Sequence, residues 1–267
     1  MQLTVHGRTA YAYTGGKPFD PALPCVVFIH GALHDHSVWT LMSRWLAHHG
    51  HVVLALDLPG HGRSAGPPLA DVAAHADWAL AALDAAGVQQ AVWAGHSMGS
   101  LVALEAAARA PRRASRLVMI GSAYPMKVSD TLLATARDAP LAAIDMVNAF
   151  SISSLASKPS YPGPGMWLHG ANRILMRRTQ RGWAQGNLFE HDFSVCNQYA
   201  GGLQAAARVT CPAHLILGER DQMTPPRATR EIVAALKATV QTIPDCGHSI
   251  MLEQPDATLA ALRRALA

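Results

Sequence analysis

Hydrophobic residues fall into short continuous runs that alternate with longer segments of helical periodicity. Apolar runs at 25–29 and 52–56 are typical of strands buried on both faces of a parallel sheet. Between and after them, apolar positions recur at helical spacing over about 37–49 and about 69–86. This alternation of strand and helix predicts a parallel sheet with helices on both faces.

The same rhythm continues along the chain with one long interruption. Further strand-like runs occupy residues 90–94, 116–121, 213–218 and 239–243. Residues 2–14 are expected to form two antiparallel strands, which brings the predicted, mostly parallel sheet to about eight strands. Residues 123–206 hold helical stretches and breakers, and we predict a helical cap there, inserted after the sixth strand. Residues 1–122 and 207–267 would then form the two parts of an α/β core.

The predicted cap contains a cluster of breakers at 159–165 and many aromatic residues. Those of interest are Phe150, Tyr161, Trp167, Trp183, Phe189, Phe193 and Tyr199. Packing within the cap explains most of these aromatics as well as a binding role does. We nevertheless expect Trp167 and Trp183 to contact a substrate.

The most informative local motif is Gly95-His96-Ser97-Met98-Gly99. It lies between a strand-like run and an alanine-rich helical segment at 100–111. A Gly-x-Ser-x-Gly sequence in that setting predicts a sharp strand-to-helix turn that exposes the serine hydroxyl, with glycines where side chains would collide with backbone. Ser97 is therefore the candidate nucleophile.

A serine hydroxyl needs an adjacent base, and an imidazole oriented by a carboxylate is the common solution. Asp221 and His248 follow Ser97 in the chain, and all three come directly after predicted strands. The carboxyl ends of parallel strands share one edge of the sheet, so these side chains are expected to meet there.

The sequence also offers alternatives to both partners of the serine. The chain has fourteen histidines. His34 and His36, expected at the entrance of the site, are the alternatives to His248 as the base. His30, His61 and His96 are expected to hold loop geometry. The carboxylates that would replace Asp221 are Asp192, Glu219 and Asp245.

The chain resembles the α/β-hydrolase-fold serine hydrolases over nearly its full length outside the predicted cap. The segments that carry the resemblance are His30-Gly31, the loop at 57–64, the Ser97 motif, residues 218–221 and Gly247-His248. The resemblance implies an oxyanion hole built from the backbone N–H groups of Met98 and Ala32. Leu33 is the fallback second donor and an expected substrate contact.

Composition excludes several other classes of function. The formal net charge of +4 over 267 residues, with no basic run interleaved with aromatics, gives no support to nucleic-acid binding. We expect no cofactor, because a glycine-rich phosphate loop is missing. We also expect no metal: His34, Asp35 and His36 offer possible ligands, but no His-Glu-x-x-His or paired cysteine spacing supports a site.

We expect no secretion signal at the N-terminus and no membrane span. The four cysteines show no close paired spacing, which favours a reduced, cytoplasmic setting. A homodimer is left open.

These observations predict a metal-independent serine hydrolase that cleaves a carboxylic ester of a small to medium hydrophobic substrate through an acyl-enzyme. Carbon–carbon bond hydrolases, thioesterases, lactonases and perhydrolases of the same fold are alternatives. Serine at position 97 argues against the relatives that use a carboxylate nucleophile, the haloalkane dehalogenases and epoxide hydrolases. A ligand receptor with little or no hydrolytic activity is the alternative from a different class.

Overall fold

The computed structural model describes residues 1–153 and 166–267, so Tyr161 and the breaker cluster at 159–165 lie outside the described residues. Its centre is an eight-stranded sheet with the order β1-β2-β4-β3-β5-β6-β7-β8. The strands are β1 (Gln2–Val5), β2 (Arg8–Tyr13), β3 (Cys25–Ile29), β4 (Val52–Asp57), β5 (Ala91–His96), β6 (Ala114–Ile120), β7 (Ala213–Gly218) and β8 (Thr239–Ile243).

Only the N-terminal edge of this sheet is antiparallel. Strand β2 pairs antiparallel with β1 and with β4, and every other neighbouring pair is parallel. The predicted, mostly parallel sheet of about eight strands is confirmed. The parallel strands place their carboxyl ends at one edge, where the loops after β3, β5, β7 and β8 meet.

Helices cover both faces of the sheet. They are α1 (Thr40–Ala47), α2 (Val72–Ala85), α3 (Met98–Arg109), α4 (Asp130–Asp138), α5 (Pro140–Ser151), α6 (Leu168–Gly182), α7 (Leu188–Gln198), α8 (Gly202–Ala206), α9 (Arg230–Leu236), α10 (Ile250–Glu253) and α11 (Pro255–Leu266). No helix of the described ranges is long and apolar enough to cross a membrane.

Alternate side chains of β3 show how the two faces are packed. Val26 and Phe28 belong to a buried cluster that includes residues of α1 and α11, and Phe28 stacks on Trp39 at a centroid distance of 4.6 Å. Val27 and Ile29 point the other way, into a cluster built with α2 and α3. A strand buried on both faces needs a continuous apolar run, which is why this segment lacks alternation.

Capping residues account for where two predicted helices begin. The helix expected over about 69–86 begins at Val72 because the Asp71 side chain accepts a hydrogen bond from Ala74 N at 2.7 Å. The helix expected over about 37–49 is preceded by a 3₁₀ turn, His36–Trp39, which Asp35 caps by accepting from Ser37 N at 2.9 Å.

Helices α4 to α8 lie between β6 and β7, in the stretch predicted as an insertion. Helix α4 contacts α5 and α7, and α5 contacts α6, so these helices pack on one another. The division at 1–122, 123–206 and 207–267 into core, cap and core stays a prediction.

The turn between β5 and α3 packs against the end of β3 with no room for side chains. A Cβ atom on Gly95 would overlap the Gly99 carbonyl, and one on Gly99 would overlap the carbonyl groups of Ile29 and His30. Both obstacles are backbone atoms, which cannot turn aside as a flexible side chain can.

We therefore expect Gly95→Ala to lower the free energy of unfolding by roughly 2–3 kcal/mol or more, since it forces backbone apart in a packed turn. Denaturant unfolding followed by circular dichroism measures the loss. Gly182→Ala is the matched control, because a Cβ on Gly182 meets no atom within 4 Å. Equal stability of the two variants would contradict this account of the turn.

Candidate active site

Ser97 occupies the turn between β5 and α3 in a backbone conformation that serine rarely adopts. Its φ is 53° and its ψ is −122°. The turn is held from both sides, because Ser97 N donates to Ile120 O at 2.9 Å and Ser97 O accepts from Ser100 N at 2.8 Å. Positive φ at a residue with a Cβ stores strain, and such strain concentrates at functional sites.

His248 and Asp221 meet at the same sheet edge, in the loops after β8 and β7. His248 Nδ1 donates to Asp221 Oδ2 at 2.8 Å. The other ring nitrogen, Nε2, therefore carries the lone pair that a general base requires. The predicted carboxylate and imidazole are thus brought together by the fold.

The Asp221 carboxylate is buried and satisfied on both oxygens. Its Oδ1 accepts from the backbone N–H groups of Met223 and Thr224, each at 2.8 Å. Burial opposes ionisation, but nearby His248 and the hydrogen bonds from His248 and Thr224 outweigh it and lower the pKa of Asp221 to about 2. This side chain is an anion at neutral pH.

Thr224 is a member of the site that sequence reasoning missed. Its hydroxyl donates to Asp221 Oδ2 at 2.6 Å and lies 3.1 Å from His248 Nδ1. A threonine three residues after an aspartate, ahead of a proline, is a common turn pattern, so the sequence carries only a weak signal for it.

His96 holds the loop of His248 in place. Its Nε2 donates to the His248 carbonyl at 2.9 Å, and the two rings lie 4.7 Å apart. Burial, together with nearby His248, holds the pKa of His96 well below its usual value, so this ring is neutral. Gly121, at φ 53°, gives both rings room, since a Cβ there would lie 3.1 Å from His96 Nε2.

Ser97 and His248 both line one cavity of about 280 Å³. Within the described residues, no hydrogen bond joins Ser97 Oγ to the His248 ring; such bonds often tighten only when substrate is bound. Most of the apolar wall comes from the helices between β6 and β7 and the segments beside them: Met126, Val128, Leu132, Met146, Val147, Phe150, Met176, Phe193 and Cys196.

The backbone N–H groups of Ala32 and Met98 suit an oxyanion hole. Met98 is the first residue of α3, where N–H groups have no partner inside the helix, and Ala32 lies on the cavity wall. Leu33 N, the fallback donor, is already engaged, because it donates to Asp192 Oδ2 at 2.8 Å. Leu33 N is therefore not free to bind a substrate oxygen.

The three expected substrate contacts do not lie on this wall. Leu33 is fully buried, and Trp167 has 59% of its surface exposed. The Trp183 ring packs directly on Gly66. Their role in binding substrate stays a prediction.

Of the two alternative histidines, His34 is on the cavity wall and His36 is directed elsewhere. His34 Nε2 lies 2.9 Å from Asn172 Oδ1, whereas His36 Nδ1 lies 2.8 Å from Asp57 Oδ1. Ligand atoms of Asp35, His36 and Asp57 lie within 4.8 Å of one another. Each of these carboxylates is already occupied by protein donors, Asp57 by backbone N–H groups and Asp35 by Ser37 and Arg178.

The alternative carboxylates also have other partners. Glu219 accepts from Asp245 N at 3.1 Å, and Asp245 pairs with Arg220 at the surface. Asp192 lies 2.8 Å from His61 Nε2. Of the four candidate carboxylates, Asp221 is the one that hydrogen bonds with His248.

We expect Asp221→Asn to destabilise the protein by roughly 2 kcal/mol at neutral pH, because the folded pKa of about 2 lies below the ordinary value of 3.8. A lowered carboxyl pKa stabilises the fold above the unfolded value, and this contribution is lost as pH falls through 2. Denaturant unfolding at several pH values between 7 and 3 measures the free energy of unfolding of wild type and variant, and the difference between the two should shrink as the pH falls. Asp245→Asn is the exposed control, and a pH-independent difference for Asp221→Asn would contradict the assignment.

Known proteins match this chain in sequence and in fold. It is 29% identical over 248 residues to the dihydrolipoyllysine-residue acetyltransferase component of the acetoin cleaving system of Pseudomonas putida, covering 90% of this chain but 60% of that protein. It is 24% identical to esterase YbfF of Escherichia coli, over 100% of this chain and 99% of the esterase.

The fold is similar to that of the esterase EaEST from Exiguobacterium antarcticum. The TM-score is 0.84 at 14% identity, over 100% of this chain and 99% of the esterase, which is a likeness of fold. The model of the alpha/beta hydrolase family matches residues 26–262. Since that match covers most of the chain and the sheet has the expected topology, this protein belongs to the alpha/beta hydrolase family.

Proposed function

We propose that this hydrolase cleaves a carboxylic ester through a covalent acyl-enzyme on Ser97. The observation that carries the proposal is the convergence of Ser97, in its positive-φ turn, and His248, held by buried Asp221, on one cavity. A nucleophile, a base and a group that orients the base are the parts that acyl transfer requires.

Each residue has a distinct part in the proposed reaction. Ser97 Oγ attacks the ester carbonyl while His248 Nε2 takes the hydroxyl proton, and Asp221 stabilises the imidazolium that forms. The Ala32 and Met98 N–H groups bind the oxyanion of the tetrahedral intermediate. The intermediate collapses as the imidazolium returns the proton to the leaving alkoxide, which departs as the alcohol.

The second half of the reaction repeats these roles with water. His248 takes a proton from water, the hydroxide attacks the acyl carbonyl, and the proton passes to Ser97 as the acid leaves. Enzyme and charges return to their starting state, so no metal or redox partner is needed for the balance.

The volume and the lining of the cavity support the proposal of a small to medium hydrophobic substrate. The cavity volume of about 280 Å³ lies just below the usual range of ligand pockets, which is roughly 300 to 1,000 Å³. Lys127 is the one lysine, arginine or carboxylate among the described residues of its wall, and its Nζ donates to Asn197 O at 3.2 Å. Because the Lys127 ammonium already has a protein acceptor and most of the wall surface is apolar, the wall favours uncharged groups.

The similarity to esterase YbfF also supports ester cleavage. We further propose that the protein works in a reduced, cytoplasmic setting. Thioesters, lactones and carbon–carbon bonds next to a carbonyl place a similar oxyanion in the site, so fold alone does not choose between them. A panel of substrates of these classes, beside p-nitrophenyl esters, ranks them by kcat/KM.

We expect Ser97→Ala to fold normally and to lose esterase activity by about 10⁴-fold, because it removes the nucleophile and leaves the rest of the turn intact. Hydrolysis of p-nitrophenyl acetate and butyrate measures the loss. Ser129→Ala, which changes another serine of the cavity wall, should stay within a few-fold of wild type. If Ser97→Ala kept a tenth of the wild-type turnover, the nucleophile would be another group.

We expect Met146→Ala to shift the preference toward longer acyl chains, because shortening a wall residue enlarges the cavity. One or two added methylenes are worth roughly 10-fold in relative kcat/KM. The measurement is a series of p-nitrophenyl esters from acetate to octanoate. Leu141→Ala is the control, because this side chain is 48% exposed and lies outside the wall. An equal shift in both variants would refute this view of the cavity.

A further inference from the structure

Asp192, on helix α7, reaches from the segment between β6 and β7 into the loop that follows β3. It is fully buried, and a single oxygen, Oδ2, accepts two hydrogen bonds of 2.8 Å. One donor is Leu33 N and the other is His61 Nε2. Both bonds join residues far apart in the chain, with separations of 159 and 131 residues.

His61 gives this contact the character of an ion pair. Its Nδ1 lies 3.1 Å from Pro59 O and its Nε2 lies 2.8 Å from Asp192. Acceptors thus face both ring nitrogens, which favours the doubly protonated ring. Burial opposes the charge on His61, but Asp192 outweighs it and raises the His61 pKa, while His61 lowers the pKa of Asp192. The carboxylate is therefore charged, and its bond to the Leu33 amide is a strong one.

The Leu33 amide belongs to the peptide plane that follows Ala32. A peptide unit is rigid, so fixing Leu33 N–H fixes the Ala32 carbonyl and restricts rotation about Ala32. Leu33 has φ 56°, a conformation that a leucine keeps only when its surroundings hold it. Without the carboxylate, we expect the loop to relax and the direction of the Ala32 N–H to change.

We propose that Asp192 is a positioning residue for ester cleavage, which holds Leu33 N so that the Ala32 N–H faces the oxyanion. This inference rests on the proposed function. It gives α7 a part in the chemical step, beyond the lining of the cavity by its neighbours Phe193 and Cys196.

Two variants separate positioning from general stability. Asp192→Ala removes the acceptor of Leu33 N, whereas His61→Gln breaks the same ion pair and leaves the acceptor in place. We expect Asp192→Ala to lower kcat on p-nitrophenyl butyrate by roughly 10- to 100-fold with KM within about 3-fold, since a displaced oxyanion donor acts on the transition state. His61→Gln should keep kcat per folded molecule within about 3-fold.

Glu190→Ala is the matched control on the same helix. Its carboxylate pairs with Arg137 and does not contact the β3 loop, so kcat should not change. Folded protein is quantified by circular dichroism and size-exclusion chromatography. If Asp192→Ala does not fold, Asp192→Ala/His61→Leu removes the whole pair without leaving a lone charge and carries the same expectation.

Hydrogen exchange at Leu33 tests the contact without reference to catalysis. The Leu33 amide should exchange at least 10-fold faster in Asp192→Ala than in wild type or Glu190→Ala, as measured by mass spectrometry of peptides covering 30–37. Unchanged exchange, unchanged kcat, or equal losses of kcat in Asp192→Ala and His61→Gln would overturn the proposal. Failure of wild-type protein to cleave any ester would instead remove the proposed function, and the exchange result would still report on the contact.

Discussion

The geometry of the candidate site depends on close packing of the backbone around Ser97. The turn after β5 lies against the end of β3. Gly95 and Gly99 leave no space for a side chain there, and a Cβ on Gly31 would lie 3.1 Å from Ser97 Cβ. This contact allows Ser97 to adopt φ 53° and to stand above the sheet edge at the first turn of α3. The same closeness places the Ala32 loop beside the helix N-terminus, so the proposed nucleophile and the proposed oxyanion donors share one constraint.

Side chains extend this constraint to the later strands. His96 comes directly before Ser97 and donates to the His248 carbonyl, while Gly121, after β6, leaves room for both rings. His248, the proposed base, is therefore held at its backbone by His96 and at its ring by Asp221 and Thr224. These two sets of contacts fix the direction of the imidazole ring. A general base needs a fixed direction, because it must lie within hydrogen-bond reach of the proton that it takes.

The helices between β6 and β7 act on the site in two ways. They supply most of the apolar wall, which sets the size of an acceptable substrate. They also send polar groups to the β3 loop, since Asn172 bonds with His34 and Asp192 bonds with Leu33 and His61. Breaking a buried hydrogen bond is costly, so these contacts hold α6 and α7 against the loop after β3.

The sequence by itself determined the sheet and its helices, and it singled out Ser97, Asp221 and His248, which follow β5, β7 and β8. These features are local: continuous apolar runs mark buried strands, and glycines and prolines mark the turns after them. Parallel strands then bring those turns to one edge whatever the remaining details.

Only the tertiary structure decided which groups touch across the chain. It showed that Thr224 supports Asp221, that Leu33 N is occupied, and that Asp192 is paired with His61 and not with His248. It also placed Trp167 and Trp183 away from the cavity wall. The physical reason is that contacts between side chains more than a hundred residues apart depend on the paths of the loops and on the packing of the helices between β6 and β7. Neither periodicity nor spacing along the chain encodes these contacts.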